Sequence, residues 1–545
     1  MVRVGGFRAR AGRDVPCLNL AMVLFITEIA ALTMTKAVLN PLIFYVIVSV
    51  ALQDSFNKEV PMPGIFGGLK PESLWKHFEQ ILKIPHCSGQ EKPLGDYVIS
   101  EAKRLGLSWK RDEVGNVAVS KPASAGKGGS APLILQGHLD MVGEKNSDVR
   151  HDFSRDPIIP EIKNGWVQAK GTTLGSDNGI GLAAALAIME DTTLAHGPLE
   201  FLFTTEEETG LTGARSIQPG FLQGQRLLNL DSEELGTFTI GCAGGADSDL
   251  TLPLRRKPAR GLERYLVKLS GYRGGHSGID IHLGRGNAIK LLARLLGQLQ
   301  TKFPFRLVNF EGGNKHNAIP REAWAEVLLA RKSADAAASF LKAAFNQVKV
   351  EFQAVEKEAR FSFEKAKGKA KEPLTAASQN ALLRLLLALP HGVLAMHPNI
   401  AGLVETSNNV AIVRLKPSQA QVLCSSRSSI ASALEAVRLA IKATADMAGA
   451  KAKQPDGYPG WMPNLESPLL KTLKDIHFRV FGKAAVVGAI HAGLECGLIG
   501  EKFPGMDMIS LGPTIQHPHS PEERVEIKSV EEFWKLLAES LRVLG

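Results

Sequence analysis

Four short apolar runs, each lying upstream of an acidic residue or a histidine, constrain how this chain can fold. The runs cover residues 133–135, 199–203, 227–230 and 506–509. Apolar runs of this length are typical of buried strands in a mostly parallel sheet. In open α/β sheets the ligand site lies beyond the carboxyl ends of the strands. The sequence therefore predicts that polar side chains from distant parts of the chain meet at one edge of a sheet.

The polar side chains near these runs belong to residue types that bind metal ions. They are His138, Asp140, Glu206, Glu207, Glu208, Asp231 and His519, together with Asp177 in a glycine-rich segment. Two imidazoles and several carboxylates form a suitable ligand set for a pair of borderline divalent cations such as zinc. Asp177 has an alternative role, because Asp177 or Asn178 could cap a helix predicted over 181–190. Taken together, the pattern predicts a metallohydrolase site.

The distribution of these residues predicts more than one domain. At 545 residues the chain is longer than one ordinary domain. Strand-like and helix-like segments alternate in its first and last parts, whereas the middle differs in character and holds none of the predicted ligands. We predict an α/β fold, with a three-layer catalytic domain in two parts, 62–245 and 458–545, and an inserted α+β lid domain over 246–457. Within the insertion we predict a strand at 266–269 and an amphipathic helix at 287–303, and no internal repeat is evident.

Residues 1–61 form an N-terminal extension that the predicted site does not need. Four arginines precede an apolar stretch whose longest uncharged piece, 37–53, has 17 residues. This length is at the lower limit for a helix that spans a membrane. Three interpretations stay open: a start assigned too far upstream with Met62 as the true start, a weak membrane segment, or an export signal without a clean cleavage site. We favour the misassigned start.

Charge and cysteine content argue against several other classes of protein. The net charge of +9 is modest for this length, and its densest source, residues 364–372, holds no arginine and no aromatic residue. We therefore expect no nucleic-acid partner. The five cysteines are scattered and never form a Cys-x-x-Cys pair, which predicts neither a disulfide framework nor a thiolate zinc site. A reducing cytoplasm is the simplest location.

Six longer motifs make the pattern specific. They lie at residues 136–142, 171–181, 229–234, 274–278, 490–497 and 518–521. These motifs closely resemble those of the bacterial aminoacyl-histidine dipeptidases, also called Xaa-His dipeptidases or carnosinases, in the superfamily that includes carboxypeptidase G and the aminoacylases. The resemblance extends from about residue 71 to the C-terminus. It implies a metallopeptidase fold for the predicted three-layer domain.

The resemblance implies two zinc ions held by five residues. His138 and Asp231 would hold one ion, Glu208 and His519 would hold the other, and Asp177 would bridge both. Cobalt or manganese would be possible substitutes.

The resemblance also separates neighbouring residues of the same type. The family pattern Glu-Glu-x-Gly fits only Glu207 and Glu208 in the run of three glutamates, so Glu207 would be the general base. The pattern Pro-His-Ser-Pro selects His519 rather than His517. Ser176 stands where the resemblance leads us to expect alanine, a small change that puts little in doubt.

Four further residues are expected to support the reaction. Asp140 would orient the imidazole of His138 from behind. His276, in the predicted insertion, would stabilise the oxyanion, which implies closure of the lid over the substrate, although the glycines around it could simply form a turn. Asn287 and Arg427 are candidates for holding the substrate carboxylate, and a surface or structural role for Arg427 is equally open.

The implied function is hydrolysis of the peptide bond of Xaa-His dipeptides, with broad dipeptidase activity on small substrates. The alternative on the same scaffold is an aminoacylase or N-acyl-amino-acid deacylase, because the metal ligands do not decide the substrate. A metal-binding protein without catalysis would lack a base or a ligand, and none is missing. Related enzymes often dimerise through the inserted domain, so a homodimer is possible. A membrane partner is expected only if residues 1–60 are part of the protein.

Overall fold

The structure is a computed structural model that describes residues 64–368 and 371–545. The predictions for residues 1–61 lie outside the described residues. Within the part that is described, no helix is both long enough and apolar enough to cross a membrane.

Twenty-one strands and twelve α-helices make up the regular structure of the described residues. The strands are β1 (Ser108–Arg111), β2 (Val117–Lys121), β3 (Leu133–His138), β4 (Pro160–Lys163), β5 (Trp166–Ala169), β6 (Leu199–Thr204), β7 (Arg226–Asn229), β8 (Thr237–Cys242), β9 (Gly244–Pro253), β10 (Glu263–Ser270), β11 (Arg306–Gly312), β12 (Ala323–Leu329), β13 (Arg360–Lys365), β14 (Gly392–Met396), β15 (Val404–Leu415), β16 (Gln419–Ser428), β17 (Lys451–Lys453), β18 (Val486–Ile490), β19 (Asp507–Ser510), β20 (Ile515–Gln516) and β21 (Arg524–Glu526). The helices are α1 (Glu72–Lys83), α2 (Lys92–Arg104), α3 (Ser176–Glu190), α4 (Glu207–Gly210), α5 (Thr212–Ser216), α6 (Ala288–Lys302), α7 (Arg331–Glu351), α8 (Ala376–Ala388), α9 (Ala431–Ala448), α10 (Pro468–Phe481), α11 (Glu495–Lys502) and α12 (Ile527–Leu544).

The four predicted apolar runs form adjacent strands of one sheet. Its order is β1-β2-β6-β3-β7-β19-β8-β18, and β6, β3, β7 and β19 run parallel to one another. Every residue of β3 and β6 is buried, as expected for parallel strands covered on both faces. The predicted strands are therefore confirmed, and their carboxyl ends share one edge of the sheet.

Helices on both faces give this sheet domain three layers. Successive residues of a strand point to opposite faces, so Leu135 and Ile134 of β3 mark two separate cores. Leu135 belongs to the same buried cluster as residues of α1, α3, α10 and α12. Ile134 belongs to a second cluster with residues of α5 and α11. The predicted three-layer α/β architecture is confirmed, and the helix predicted at 181–190 is the main part of α3.

A second sheet is formed entirely by strands between Gly244 and Lys453. Its order is β13-β10-β12-β11-β15-β16-β9-β17, with β14 paired to β15, and every pairing is antiparallel. Helices α6, α7, α8 and α9 share its apolar core. The predicted strand at 266–269 lies within β10, and the predicted helix at 287–303 is α6. The inserted α+β character is confirmed, whereas the domain boundaries at 245 and 457 stay predictions.

The insertion contains a repeated topology that the sequence did not reveal. One unit, β10-α6-β11-β12-α7-β13, has the strand order β13-β10-β12-β11, and the other, β9-α8-β15-β16-α9-β17, has the matching order β17-β9-β16-β15. The antiparallel pair β11 and β15 joins the units edge to edge. The sequence shows no internal repeat, so the repeat is one of topology alone. Because the first unit is inserted between β9 and α8 of the second, the repeat is not contiguous along the chain.

Candidate metal centre and active site

His138 lies at the carboxyl end of β3 and is completely buried. Its Nε2 is 3.1 Å from Asp177 Oδ1 and 3.3 Å from Asp231 Oδ1. Its Nδ1 is 2.9 Å from the backbone oxygen of Asp140. A carbonyl oxygen only accepts hydrogen bonds, so Nδ1 carries a proton and Nε2 is the atom presented to the carboxylates. His138 is thus oriented as a metal ligand would be.

His519 and Glu208 approach Asp177 from the other side. His519 lies in the loop between β20 and β21, and its Nε2 is 3.1 Å from Asp177 Oδ2 and 2.9 Å from Glu208 Oε1. The two oxygens of Asp177 therefore face different histidines, His138 and His519. The structure brings all five predicted ligands together, with Asp177 between the two histidines.

The structure shows no side-chain cap by Asp177 or Asn178 at the start of α3. Both residues have non-helical backbone angles, as residues that precede a helix do, so the regular part of α3 begins after Asn178, and Asn178 Oδ1 accepts no hydrogen bond. Asn178 Nδ2 donates to the backbone oxygen of Leu230 at 2.8 Å, and the peptide bond between Asp177 and Asn178 is cis. The Asp177 oxygens are directed at the two histidines, so they are not available to the N–H groups of the helix.

The charge balance of this cluster fits divalent cations. Ligand atoms of His138, Asp177 and Glu208 lie within 4.8 Å of one another, and the buried Asp231 Oδ1 has no hydrogen-bond partner. Burial lowers the pKa of His519, but its contacts with Asp177 and Glu208 outweigh this and raise the pKa to about 11. Protons on the histidines thus offset the clustered carboxylates. Divalent cations would offset the same negative charge, and the Nε2 atoms of the two histidines would bind them in place of protons. The residues therefore fit two metal ions.

A second group of histidine and acidic side chains has a different charge balance. His77, Glu101 and Glu190 also lie within 4.8 Å of one another. Arg104 bonds both carboxylates there, with Nη2 at 2.8 Å from Glu190 Oε2 and Nε at 3.0 Å from Glu101 Oε2. This arginine already offsets the acidic charge of the group, and none of the three residues belongs to the predicted ligand set. We therefore do not include the group in the candidate catalytic centre.

The three consecutive glutamates occupy different positions. Glu206 has a left-handed φ of 49° and turns the chain. The backbone N–H groups of Glu207 and Glu208 then donate to the two oxygens of Asp140, at 2.9 and 3.1 Å. Burial raises the pKa of Glu207 well above its usual value, against the opposing charge of the nearby His138. Glu207 therefore lies beside the ligand cluster, where a base is needed, while Glu208 is part of it.

Asp140 connects these two parts of the site. Its backbone oxygen is the nearer partner of His138, since its carboxylate Oδ1 is 3.4 Å from His138 Nδ1. The carboxylate mainly fixes the turn at Glu207 and Glu208, and Ser88 Oγ donates to it at 2.7 Å. The predicted role of Asp140 in orienting His138 thus describes only part of what this residue contacts.

His276, in the loop after β10, is held in one tautomer. Its Nδ1 accepts hydrogen bonds from the backbone N–H groups of Gly278 and Ile279, at 3.3 and 3.0 Å. The proton of the neutral ring is therefore on Nε2, which is a donor. Burial lowers the pKa of His276 to about 4, and the charge of Arg427 adds to this effect. A neutral N–H donor suits the stabilisation of an oxyanion at pH 7.

Arg427 is a buried cation without an acidic partner among the described residues. It is only 6% exposed, and its Nη1 donates to Tyr458 Oη at 2.9 Å while its Nε has no partner. A side chain at Gly278 would meet both Arg427 and the backbone oxygen of His491, so Arg427 lies against the loop of His276. A buried, unpaired guanidinium is costly, and it suits an anion such as a substrate carboxylate.

Asn287 is engaged within the fold. It is 3% exposed, and its Oδ1 caps α6 by accepting from the N–H groups of Ile289 and Lys290. Its Nδ2 donates to the backbone oxygen of Val410 at 2.9 Å. Both ends of the amide are thus used, so the geometry does not favour the predicted contact with substrate.

Comparison with known proteins identifies the family of the chain. The sequence model of peptidase family M20/M25/M40 matches residues 134–542. The chain belongs to this family. It is a metal-dependent peptide hydrolase, as the motifs and the ligand cluster predict.

Individual relatives support the assignment to the M20 family. The chain is 44% identical over 476 residues to the cytosol non-specific dipeptidase of Escherichia coli (strain K12), which covers 87% of this chain and 98% of that protein. The crystal structure of aminoacylhistidine dipeptidase from Vibrio alginolyticus matches with a TM-score of 0.80 and 40% identity, over 90% of this chain and 99% of that one. A likeness in fold alone extends to the aminopeptidase PepT of Bacillus cereus, with a TM-score of 0.51 and 15% identity over 87% and 99% of the two chains.

Sequence reasoning missed a buried polar network beside His138 of this M20 peptidase. Glu495 Oε2 accepts from Gln136 Nε2 and Thr204 Oγ1, both at 2.6 Å. Glu495 is fully buried, and burial raises its pKa to about 7. Its position in the motif at 490–497 was a signal of importance, but a single sequence does not show that a carboxylate is buried.

Proposed function

We propose that this M20 peptidase is a cytoplasmic dipeptidase that hydrolyses the peptide bond of Xaa-His dipeptides and has broad dipeptidase activity. The names of two similar proteins, a cytosol non-specific dipeptidase and an aminoacylhistidine dipeptidase, support this substrate class. The observation that carries the proposal is the position of Asp177, whose two oxygens face His138 and His519. Glu207 lies beside this arrangement.

We propose two zinc ions as the native metals, with cobalt or manganese as possible substitutes. His138 and Asp231 would hold one ion, Glu208 and His519 the other, and Asp177 would take part in holding both. When bound, the ions would activate a water molecule and polarise the peptide carbonyl.

The side chains of the protein would carry the proton and the developing charge. Glu207 would accept the proton of the attacking water and deliver it to the leaving amine. His276 Nε2–H would donate to the carbonyl oxygen as negative charge develops there. Arg427 would bind the C-terminal carboxylate of the dipeptide through the N–H groups of its guanidinium.

Replacing His276 with alanine is expected to reduce kcat by about 10²- to 10³-fold, the usual cost of losing one oxyanion donor. Metal content should not change, because the predicted ligands are on other residues. The matched control is His316→Ala, which removes a largely exposed histidine of the same insertion. Steady-state kinetics with metal analysis measures both quantities, and a full rate for His276→Ala would contradict the assignment.

Replacing Arg427 with alanine is expected to raise KM by about 10- to 100-fold for dipeptides, because a charged hydrogen-bonding partner of the carboxylate is lost. The same variant should treat dipeptide amides, which lack that carboxylate, much as the parent protein does. Arg294→Ala is the control, since Arg294 forms an exposed ion pair with Glu351 on the same insertion. Equal losses on acids and amides would argue against carboxylate binding.

The alternative function is an aminoacylase or N-acyl-amino-acid deacylase, which uses the same ligands. A panel of free dipeptides, including Xaa-His, together with N-acetyl and N-succinyl amino acids tests the two functions. The panel should be run with zinc, manganese and cobalt in turn. Turnover of the dipeptides is expected, and turnover of the acylated amino acids alone would favour the deacylase.

A further inference from the structure

Glu523 is a buried acidic residue outside the predicted ligand set. Its side chain is almost fully enclosed, with 2% of the residue exposed. Its Oε2 accepts from the backbone N–H groups of Leu174 and Gly175, at 2.8 and 3.0 Å. Its Oε1 accepts from the N–H and the hydroxyl of Ser176, at 2.7 and 2.6 Å, and from the N–H of Asp177 at 3.3 Å. One carboxylate therefore binds the whole segment that leads into Asp177.

Glu523 also belongs to the loop that carries His519. Strands β20 and β21 form a hairpin in which Gln516 pairs with Arg524, so residues 517–523 close that hairpin. The backbone N–H of Glu523 donates to Ser520 at 3.0 Å. The strands of the hairpin thus fix the ends of the loop, and the hydrogen bonds of the Glu523 side chain connect the loop to the Asp177 segment.

The two segments that Glu523 joins supply side chains that meet each other. Asp177 Oδ2 and His519 Nε2 are 3.1 Å apart, although they lie 342 residues apart in sequence. Among the described hydrogen bonds, those of Glu523 link the backbone next to Asp177 to the hairpin loop of His519. The carboxylate of Glu523 therefore links the two segments that carry these side chains.

The choice of a charged side chain here is informative. Burying a carboxylate is costly unless several donors stabilise it, and it adds negative charge next to an already acidic cluster. A neutral acceptor would hold a loop without that repulsion. A buried carboxylate at this position instead favours cations nearby, as outer partners of metal ligands commonly do.

We propose that Glu523 is a positioning residue for the metal centre, which sets the spacing of Asp177 and His519 so that both cations bind. The proposal rests on the proposed two-metal function. Loss of such an outer partner typically weakens metal binding by about 10- to 100-fold. Ser176 takes part in the same contact, because its hydroxyl supplies a hydrogen bond that alanine at this position would lack.

The test compares Glu523→Gln with Glu200→Gln in the full chain, by titration of zinc against a competing chelator. Glu200 is a matched control, since its buried carboxylate accepts from the backbone N–H groups of Gln223 and Gly224 at the amino end of β6, away from the ligands. Thermal unfolding of the metal-free proteins measures the structural cost of each change separately. We expect zinc affinity to fall by about 10- to 100-fold in Glu523→Gln and to stay at the parent value in Glu200→Gln.

Unchanged zinc affinity in Glu523→Gln, or equal losses in both variants, would overturn the proposal, whatever happens to stability. A parent protein that binds no zinc would contradict the proposed function itself, which is a different result. If Glu523→Gln does not fold, Glu523→Asp decides the matter, because it keeps the charge but shortens the side chain that reaches the backbone of residues 174–177. Weaker zinc binding in that variant supports the proposal, and parent-like affinity overturns it.

Discussion

Replacing Glu207 with glutamine is expected to reduce kcat for dipeptide hydrolysis by about 10²- to 10⁴-fold while both metal ions stay bound. Glutamine keeps the size and the backbone contacts of Glu207, whose N–H donates to Asp140. It has no carboxylate to accept the proton of water. The loss should therefore appear in kcat at saturating substrate, with little change in KM, and metal analysis of the same sample measures the stoichiometry.

The run of three glutamates supplies the control for this experiment. Glu206→Gln removes the same type of carboxylate one residue earlier. Glu206 has a left-handed backbone conformation, and its backbone N–H donates to the Glu91 side chain. This variant should retain most of the parent rate. If Glu207→Gln works at the parent rate, or if Glu206→Gln is the inactive variant, the base has been assigned to the wrong glutamate.

Replacing Asp177 with asparagine is expected to abolish activity and to weaken the binding of both metal ions together. One oxygen of Asp177 faces His138 and the other faces His519, so under the proposed function this single carboxylate would serve both halves of the site. Asparagine retains one oxygen and no charge, so the loss should exceed the roughly 10- to 100-fold cost of an outer partner. Titration with zinc in a calorimeter measures the number of bound ions and their affinities.

Two single-histidine variants make this result specific to the shared carboxylate. His138→Ala and His519→Ala should each weaken mainly one ion, because each imidazole contacts Asp177 from its own side. Retention of two tightly bound ions by Asp177→Asn would show that the carboxylate does not bridge. Loss of both ions in either histidine variant would show that the two sites are not separable.

The sheet that carries the candidate ligands could be predicted from the sequence, because each of its buried strands is recognised from its own residues. Strands buried on both faces must be apolar throughout, as β3 and β6 are. Their carboxyl ends meet at one edge, which places His138 near Asp231 without knowledge of any contact between them. Residue type together with position near a strand end indicated a group of candidate ligands, and the family resemblance selected the five from that group.

The supporting residues could not be predicted in this way. Glu495 and Glu523 look like ordinary surface residues in a sequence, and only the fold shows that both are buried and bonded to the backbone or to polar partners. For the same reason the sequence did not separate two roles of Asp177, because a helix cap and a metal ligand would both need an aspartate at this position. The directions of its two oxygens favour the role of a ligand, and they depend on loops that are distant in the sequence.

The inserted domain was the least predictable part. Its repeated topology is nested, so β9 is separated from the rest of its unit by the whole of the other unit. Asn287 shows a related difficulty, because its capping of α6 and its contact with Val410 use the polar groups that were assigned to substrate. Arg427 is buried as well, but its Nε has no hydrogen-bond partner, and only the structure reveals this difference.

The most direct measurement is the release of free histidine from an Xaa-His dipeptide by metal-free protein during titration with zinc. The rate should be near zero without metal, should rise as zinc is added and should level off at two equivalents per chain. Full activity without metal, or a rate that saturates at one equivalent, would contradict a two-metal dipeptidase built around Asp177.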